Sequence, residues 1–447
     1  MGGYTPSIDK FIFFIEYTMI GLKFEKYLWT YYKKDIILGQ NCHTNLKMLT
    51  IGIIREGKNP PDNRVVLNPF QCNWITQNFP VKIWMEPSNI RCFSDAEYMK
   101  EGITISSDLG DCDVLIGIKE VPVQNLLDNK KYLFFSHTIK KQPYNKKLLQ
   151  TILNKNIELI DFELITDENN QRLIAFGGFA GMVGAHNALL TWGNRTKQFF
   201  LPRMYQLKDY QEALDEYKNI KWPPVKIVLT GTGRVGNGAA SVLTDMGIKK
   251  VDVHGFLNDL YVGPQFVQLK SEDYLFRKDG NLFDTNHFHQ FPSHYYSNFK
   301  PFAQKADIFI NGIYWNYDAP AFFTKEDMLD SSFRLEVIAD LTCDLAPVSS
   351  VPSTLKASTI ENPIYSYLPE SNESSFPHNG QGVDVMAIDN LPNELPRDAS
   401  TEFGKRFISS VLPDLLIGNT PKIERATIAR KGALMPAFSY LEDYIKD

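Results

Sequence analysis

At 447 residues the chain is too long for one compact core and calls for two domains. Hydrophobic content of 43% and charged content of 22% are ordinary for a globular protein, and a net charge of −5 argues against nucleic acid or an anionic membrane as main partner. The five cysteines (Cys42, Cys72, Cys92, Cys112, Cys343) are scattered, odd in number and without a CxxC. That pattern points to a reduced, cytoplasmic protein with neither zinc site nor disulfide framework.

In chain order, the first feature is FIFFIEYTMIGL at 11–22, an apolar run interrupted by Glu16 and too short to span a bilayer. The first 47 residues contain no arginine and no small-residue cleavage site, which fits neither a transit peptide nor a secretory signal. MLTIGIIREGKNPPDNR, from Met48, is a clean strand-and-turn opening. Residues 1–47 are therefore expected outside the functional fold, the alternative being an arm that packs on a second copy in a homo-oligomer.

Short apolar runs then alternate with helical stretches. Strands are expected at 50–54, 81–84, 113–118, 132–136 and 157–161, and a second series at 226–230, 307–312, 335–340 and 383–389. SDAEYMKEG and NKKLLQTILNKN read as helices between them. Strand–helix alternation argues for parallel sheets of βαβ units, and two series argue for two sheets. The glycine- and alanine-rich stretch 175–193 suits a connecting helix, and KWPPVK (221–226) breaks the chain before the second sheet. SYLPESNESSFPHNGQG (366–382) is the most loop-like segment.

KIVLTGTGRVGNGAASVLTDMG (226–247) is a strand, then GxGxxG at Gly231, Gly233 and Gly236, then a helix. The glycines permit the tight turn, the approach of backbone to pyrophosphate and close helix–strand packing, with phosphates on the helix N-terminus. NAD or NADP is the expected cofactor. The acid that would hold the ribose of NAD is expected at the end of the next strand, read here as KKVDVHGF. Asp252 falls mid-strand in that reading and His254 nearer the end, so the choice of cofactor stays open.

Two strands of the first series turn abruptly polar, one at Lys119 and Glu120 and the other at Ser136, His137 and Thr138. Ligands in open α/β sheets bind at the carboxyl ends of strands. Lys119 and His137 are thus expected at one cleft edge, where a lysine near a second cation can pass protons near neutral pH. The alternative is a solvated strand-end lysine and a capping histidine. His287, His289 and His294 in NHFHQFPSH lack nearby carboxylate or cysteine at ligand spacing and read as a surface segment, with no metal expected. Asp161 and Glu163 end a strand and either position substrate amines or cap the linker.

GIKE (117–120), SHTIKKQ (136–142), LIDFELITDENNQRLIAFGGFAG (159–181), GTGRVG, ADIFINGIYW (306–315) and AIDNLPNELPRDAS (387–400) resemble lysine-forming saccharopine dehydrogenases, above all the lysine–ketoglutarate reductase type. REGKNPPDNRVVLNP (55–69) is also similar to alanine dehydrogenase and transhydrogenase. The resemblance covers about 48–447. It implies Lys119 and His137 as the acid/base pair, and Arg64, Lys140, Gln142, Arg172 and Phe176 at the substrate. Gln171 stands where some members have arginine. At the cofactor the resemblance implies Gly231, Gly233, Arg234, Val235, Gly236, Asp340, Asp344, Asn390, Leu391 and Pro392.

The expected fold class is α/β, two Rossmann-like doubly wound domains with a cleft between them. Residues 48–176 and 394–447 would form the substrate domain and 177–393 the NAD(P)-binding domain, with RDASTEFGKRFISSVLPDLL as the returning helix. The resemblance implies interconversion of saccharopine with lysine and 2-oxoglutarate, using NAD(P)(H). An alanine dehydrogenase-like enzyme and a non-catalytic NAD(P)-binding sensor are the alternatives.

Overall fold

The computed structural model describes residues 48–258, 261–418 and 420–446. The expectations for residues 1–47 lie outside the described residues. Among the described residues, no helix is long and apolar enough to cross a membrane, and Cys72, Cys112 and Cys343 are free thiols.

The chain forms two compact units, one from the chain up to Ala175 with Ser400–Asp447, the other Phe176–Ala399. The return falls inside the helix Pro396–Ser410 rather than at 394. Local bonds explain the shift: buried Glu394 is held by Arg203 and Asn187, and Asp398 accepts the Tyr210 N–H, so this stretch stays with the second unit. Phe176, expected beside substrate in the first domain, opens the second unit.

In the first unit β1 (Leu49–Ile53), β2 (Val81–Met85), β3 (Thr104–Ile105), β4 (Val114–Ile116), β5 (Lys131–Phe134) and β6 (Glu158–Asp161) pair in parallel. Two of the helices between them, Pro69–Asn78 and Asp95–Lys100, start on capping boxes, Asn68 with Gln71 and Ser94 with Glu97, which satisfy otherwise orphaned N–H groups. Lys146–Asn154 buries Leu148, Leu149 and Ile152, the spacing of one helical face.

The long helix Gly177–Thr196 opens the second unit, with Val183 to Gly193 buried. Its strands are β7 (Lys226–Thr230), β8 (Lys249–Val251), β9 (Gln265–Leu269), the separate hairpin β10 (Leu275–Arg277) and β11 (Tyr295–Ser297), then β12 (Ile308–Asn311), β13 (Val337–Asp340), β14 (Ile364–Leu368), β15 (Glu373–Ser375) and β16 (Val383–Met386). The segment expected to be most loop-like contains the β14–β15 hairpin. The KKVDVHGF strand stops at Val251. Asp252 caps the helix Val253–Leu257 through its carboxylate on the Gly255 N–H, and His254 lies in that helix. Side-chain capping by Asp competes with extended backbone, which ends the strand early.

The chain then returns as β17 (Thr427–Arg430) and β18 (Ala433–Leu434), which join the first sheet antiparallel. The sheet orders are β18-β17-β6-β5-β4-β1-β2-β3 and β15-β14-β16-β13-β12-β7-β9-β8. Both are mostly parallel, and each reverses direction of growth once. The reversals lie between β1 and β4 and between β7 and β12, the positions where open α/β sheets bind ligands.

Candidate active site

In the first unit β6, β5, β4 and β1 are neighbours and parallel, so their carboxyl ends share one edge. Lys119 and Glu120 follow β4, His137, Lys140 and Gln142 follow β5, Asp161 and Glu163 stand at and after β6, and Arg64 lies in the loop after β1. His137 has a left-handed backbone, φ 51°. Such a conformation costs about 1–3 kcal/mol and persists only where neighbours enforce it. Asp161 does so: its Oδ2 accepts the Ser136 N–H at 3.0 Å and the Ser136 hydroxyl at 2.5 Å, while Oδ1 accepts the Glu163 N–H at 2.7 Å. Behind the turn, Phe135 and Phe162 pack edge-on against Phe403 of the returning helix, and Phe162, fully buried, contributes about 1.5–3 kcal/mol. Asp161→Asn turns an amide donor against these N–H donors and is expected to destabilise the first unit by about 1–3 kcal/mol. Urea unfolding measures it, and a wild-type midpoint would remove Asp161 from the support of the turn.

The His137 Nδ1 lies 2.6 Å from Glu120 Oε1, and Lys58 reaches the other Glu120 oxygen at 3.1 Å. Burial would raise the Glu120 pKa, but the His137 hydrogen bond and nearby cations hold it at about 2. A carboxylate on Nδ1 fixes the imidazole's orientation and leaves Nε2 as the atom for proton exchange. The Lys119 amine has no hydrogen-bond partner among the described residues. Burial, then Arg64, lowers its pKa, with Lys58 adding to the effect. The cations acting on Lys119 are therefore Arg64 and Lys58, where sequence reasoning expected His137.

Arg64 is 2% exposed and paired with Asp62 through Nε at 2.9 Å and one Nη at 2.6 Å. A guanidinium this deeply buried needs a counter-charge, so a substrate carboxylate would have to share Arg64 with Asp62. Lys140 and Arg172 converge on buried Glu163, Lys140 at 3.2 Å and Arg172 in direct contact. Burial opposes ionisation of Glu163, yet Arg172 and Lys140 hold its pKa below the usual carboxylate range. Glu163 Oε2 and Gln142 Oε1 are buried acceptors without a hydrogen-bond partner among the described residues. Sequence reasoning missed the Glu120 contact and did not single out Asp62; only the adjacency of Glu120 to Lys119 signalled the former.

In the second unit Gly231 has φ +95°, and a side chain there would strike the Gly312 carbonyl. Gly236 faces the Gly231 carbonyl, which a Cβ would meet at 2.0 Å. Gly233, at the N-cap of Arg234–Asp245, has no atom within 4 Å of a built Cβ. A helix N-terminus with open space at its N-cap glycine, among the described residues, fits a dinucleotide pyrophosphate. Arg234 and Val235 begin that helix. Beside it, Asp344 lines a cavity of about 470 Å³ with Ile313, Tyr314, Trp315, Tyr317 and Thr342. Asp340 is turned inward instead, its oxygens taken by Asn311, Thr342 and Thr354, so it orders the loop that carries Asp344. Asn390 is left-handed (φ 68°), Pro392 is buried and Leu391 belongs to the core under the long helix. The strand beside β7 is β9, not β8, and it ends at Leu269, followed by Lys270 and Ser271. Lys270 and Ser271, rather than Asp252, therefore follow the strand that borders β7.

Residues 52–183 match the family model of the alanine dehydrogenase/PNT N-terminal domain. The chain is 28% identical over 442 residues to the mitochondrial alpha-aminoadipic semialdehyde synthase of Rattus norvegicus, covering 87% of this chain and 47% of that protein. It therefore spans about half the length of that relative. It is 25% identical over 379 residues to saccharopine dehydrogenase [NAD(+), L-lysine-forming] of Emericella nidulans, covering 80% of this chain and 90% of that one. An L-alanine dehydrogenase structure superposes with a TM-score of 0.60 at 16% identity, over 89% of this chain and all of that one. By sequence the chain is similar to alpha-aminoadipic semialdehyde synthases and lysine-forming saccharopine dehydrogenases, and its fold is that of alanine dehydrogenase.

Proposed function

We propose that the chain is an NAD(P)-dependent oxidoreductase of lysine metabolism that interconverts saccharopine with L-lysine and 2-oxoglutarate. The observation carrying this reading is that Lys119 and His137 follow the carboxyl ends of the adjacent parallel strands β4 and β5, with Glu120 on His137 Nδ1. Lysine's ε-amine adds to the keto carbon, and Lys119, unprotonated, takes the proton the amine sheds and returns it to the former keto oxygen, making it a hydroxyl. His137 Nε2 gives a proton to the departing hydroxyl, which leaves as water. NAD(P)H, when bound, supplies the hydride that reduces the resulting imine. Glu163 and Gln142, with unpartnered acceptors beside Lys140 and Arg172, suit the charged groups of a second amino acid. Ammonia would need no such cluster, which favours lysine over an alanine dehydrogenase-like reaction. Cytoplasmic location, suggested by scattered cysteines without a CxxC, belongs to the same reading.

Lys270 and Ser271 stand where NAD enzymes place an acid, so NADPH is the favoured cofactor. The exposed Lys270–Glu272 pair, 3.3 Å, is weak enough for a 2′-phosphate to displace. The test follows NADPH and NADH oxidation with lysine plus 2-oxoglutarate, against pyruvate plus ammonia. Turnover confined to the first pair supports the reading; turnover with pyruvate and ammonia, or binding without turnover, overturns it. Lys270→Asp should lower kcat/KM for NADPH by at least about 10-fold while sparing NADH. Equal losses with both cofactors would remove Lys270 from ribose recognition.

A further inference from the structure

β1 ends at Ile53, and its last ladder bond to the neighbouring strand runs from the Ile54 N–H to the Ile116 carbonyl. On the other side the ladder continues, with Gly117 donating to Leu133 and Phe135 donating to Ile118. Beyond β4 the N–H groups of Ile118 and Lys119 have no strand partner. Glu56 fills that role: its Oε1 accepts from Ile118 at 2.6 Å and its Oε2 from Lys119 at 2.9 Å. Gly117 makes room for it, since a Cβ there would come within 3.3 Å of Oε1 and 2.9 Å of Ile54. One carboxyl thus grips two consecutive peptide groups, one of them the backbone of Lys119.

We propose that Glu56 is a positioning residue for Lys119, a carboxyl clamp that aims the lysine and sets the charge around its amine. The proposal rests on the reading of Lys119 as a proton carrier. The charged groups around the clamp are Asp62 and Arg64 from its own loop, Lys58 two residues on, and Lys119 and Glu120 from the β4 end. Burial, then Asp62, pushes the Glu56 pKa up to about 8, against the pull of the two N–H donors. The clamp is therefore neutral below that pH and gains a negative charge above it, which favours the Lys119 cation.

Glu56→Gln keeps the shape but can offer an oxygen to only one of the two N–H groups. In the full chain, kcat with saturating lysine, 2-oxoglutarate and NADPH should fall about 10–100-fold while KM for NADPH holds. Competitive acetylation read by peptide mass spectrometry should show the Lys119 midpoint moving to lower pH, because the anion formed near pH 8 is gone. Unfolding midpoints are measured alongside; should the glutamine variant not fold, Glu56→Asp, with a shorter reach, is read the same way. Wild-type kcat and labelling midpoint, or failure of both variants to fold, overturn the positioning role. Lys119→Met separates the two levels: if it is inactive while Glu56→Gln behaves as wild type, only this inference fails. If Lys119→Met is fully active, the reading of Lys119 fails too.

Discussion

Replacing His137 with glutamine is expected to lower kcat by about 10²–10⁴-fold, the range typical of a general acid–base group. Cofactor affinity should hold, because the fingerprint belongs to the other compact unit. Lys119→Met should cost a similar factor. If both groups serve the same proton traffic, as proposed, the double variant ought to lose less than the product of the single losses. Burial, then Arg64, lowers the Lys119 pKa, so its free amine is present at lower pH than that of an ordinary lysine. The limb of the pH–rate profile that needs that amine should accordingly rise at lower pH than a solvated lysine would give, and vanish in Lys119→Met. Structural damage is the confounder at His137, whose turn is left-handed and held by Asp161 through Ser136, so thermal midpoints belong beside the kinetics. Wild-type turnover of His137→Gln at saturating lysine and 2-oxoglutarate would reduce the histidine to a strand-end polar residue.

The second large effect is at the phosphate cradle, where two glycines three residues apart should fail in opposite ways. Gly233→Val meets no atom within 4 Å at its Cβ and has an ordinary φ of −81°, so the fold should survive. Its branched side chain would stand at the helix N-terminus where pyrophosphate must approach, and NADPH affinity should drop by at least about 100-fold, a loss near 2.7 kcal/mol. Gly236→Ala places its Cβ 2.0 Å from the Gly231 carbonyl, and helix and strand must part to admit it. That variant should be destabilised by about 1–3 kcal/mol, as overpacked sites are. NADPH fluorescence titration with thermal unfolding on the same samples separates the two outcomes. Unchanged affinity in Gly233→Val would remove the loop from the cofactor site.

Much of this was legible in the chain itself, because the signals are local. Apolar runs of strand length, such as KIVLT at β7, reveal themselves by composition and flanking turns. GxGxxG between a strand and a helix carries its own context, and the steep change from apolar to polar after β4 and β5 marks Lys119 and His137 as strand-end residues. KKVDVHGF failed as a strand because Asp252 also has a local alternative, the helix cap it adopts.

Strand order and partnership were decided by the tertiary structure alone. β9 displaces β8 from the place beside β7, and β17 joins β6 across more than 250 residues of sequence, because ladder pairing is a long-range contact that no window of sequence encodes. The same holds for the charges. Whether Arg64 meets a substrate or Asp62, whether Asp340 faces the cofactor or Asn311, and whether Glu56 is a surface acid or a clamp all depend on what burial places beside them. A buried polar group must find a partner within hydrogen-bond reach, and that partner comes from packing. The residue types proposed for the chemistry were thus set by the sequence, while the partners of the carboxyls Glu56, Glu120, Asp161 and Glu163 were assigned by the fold.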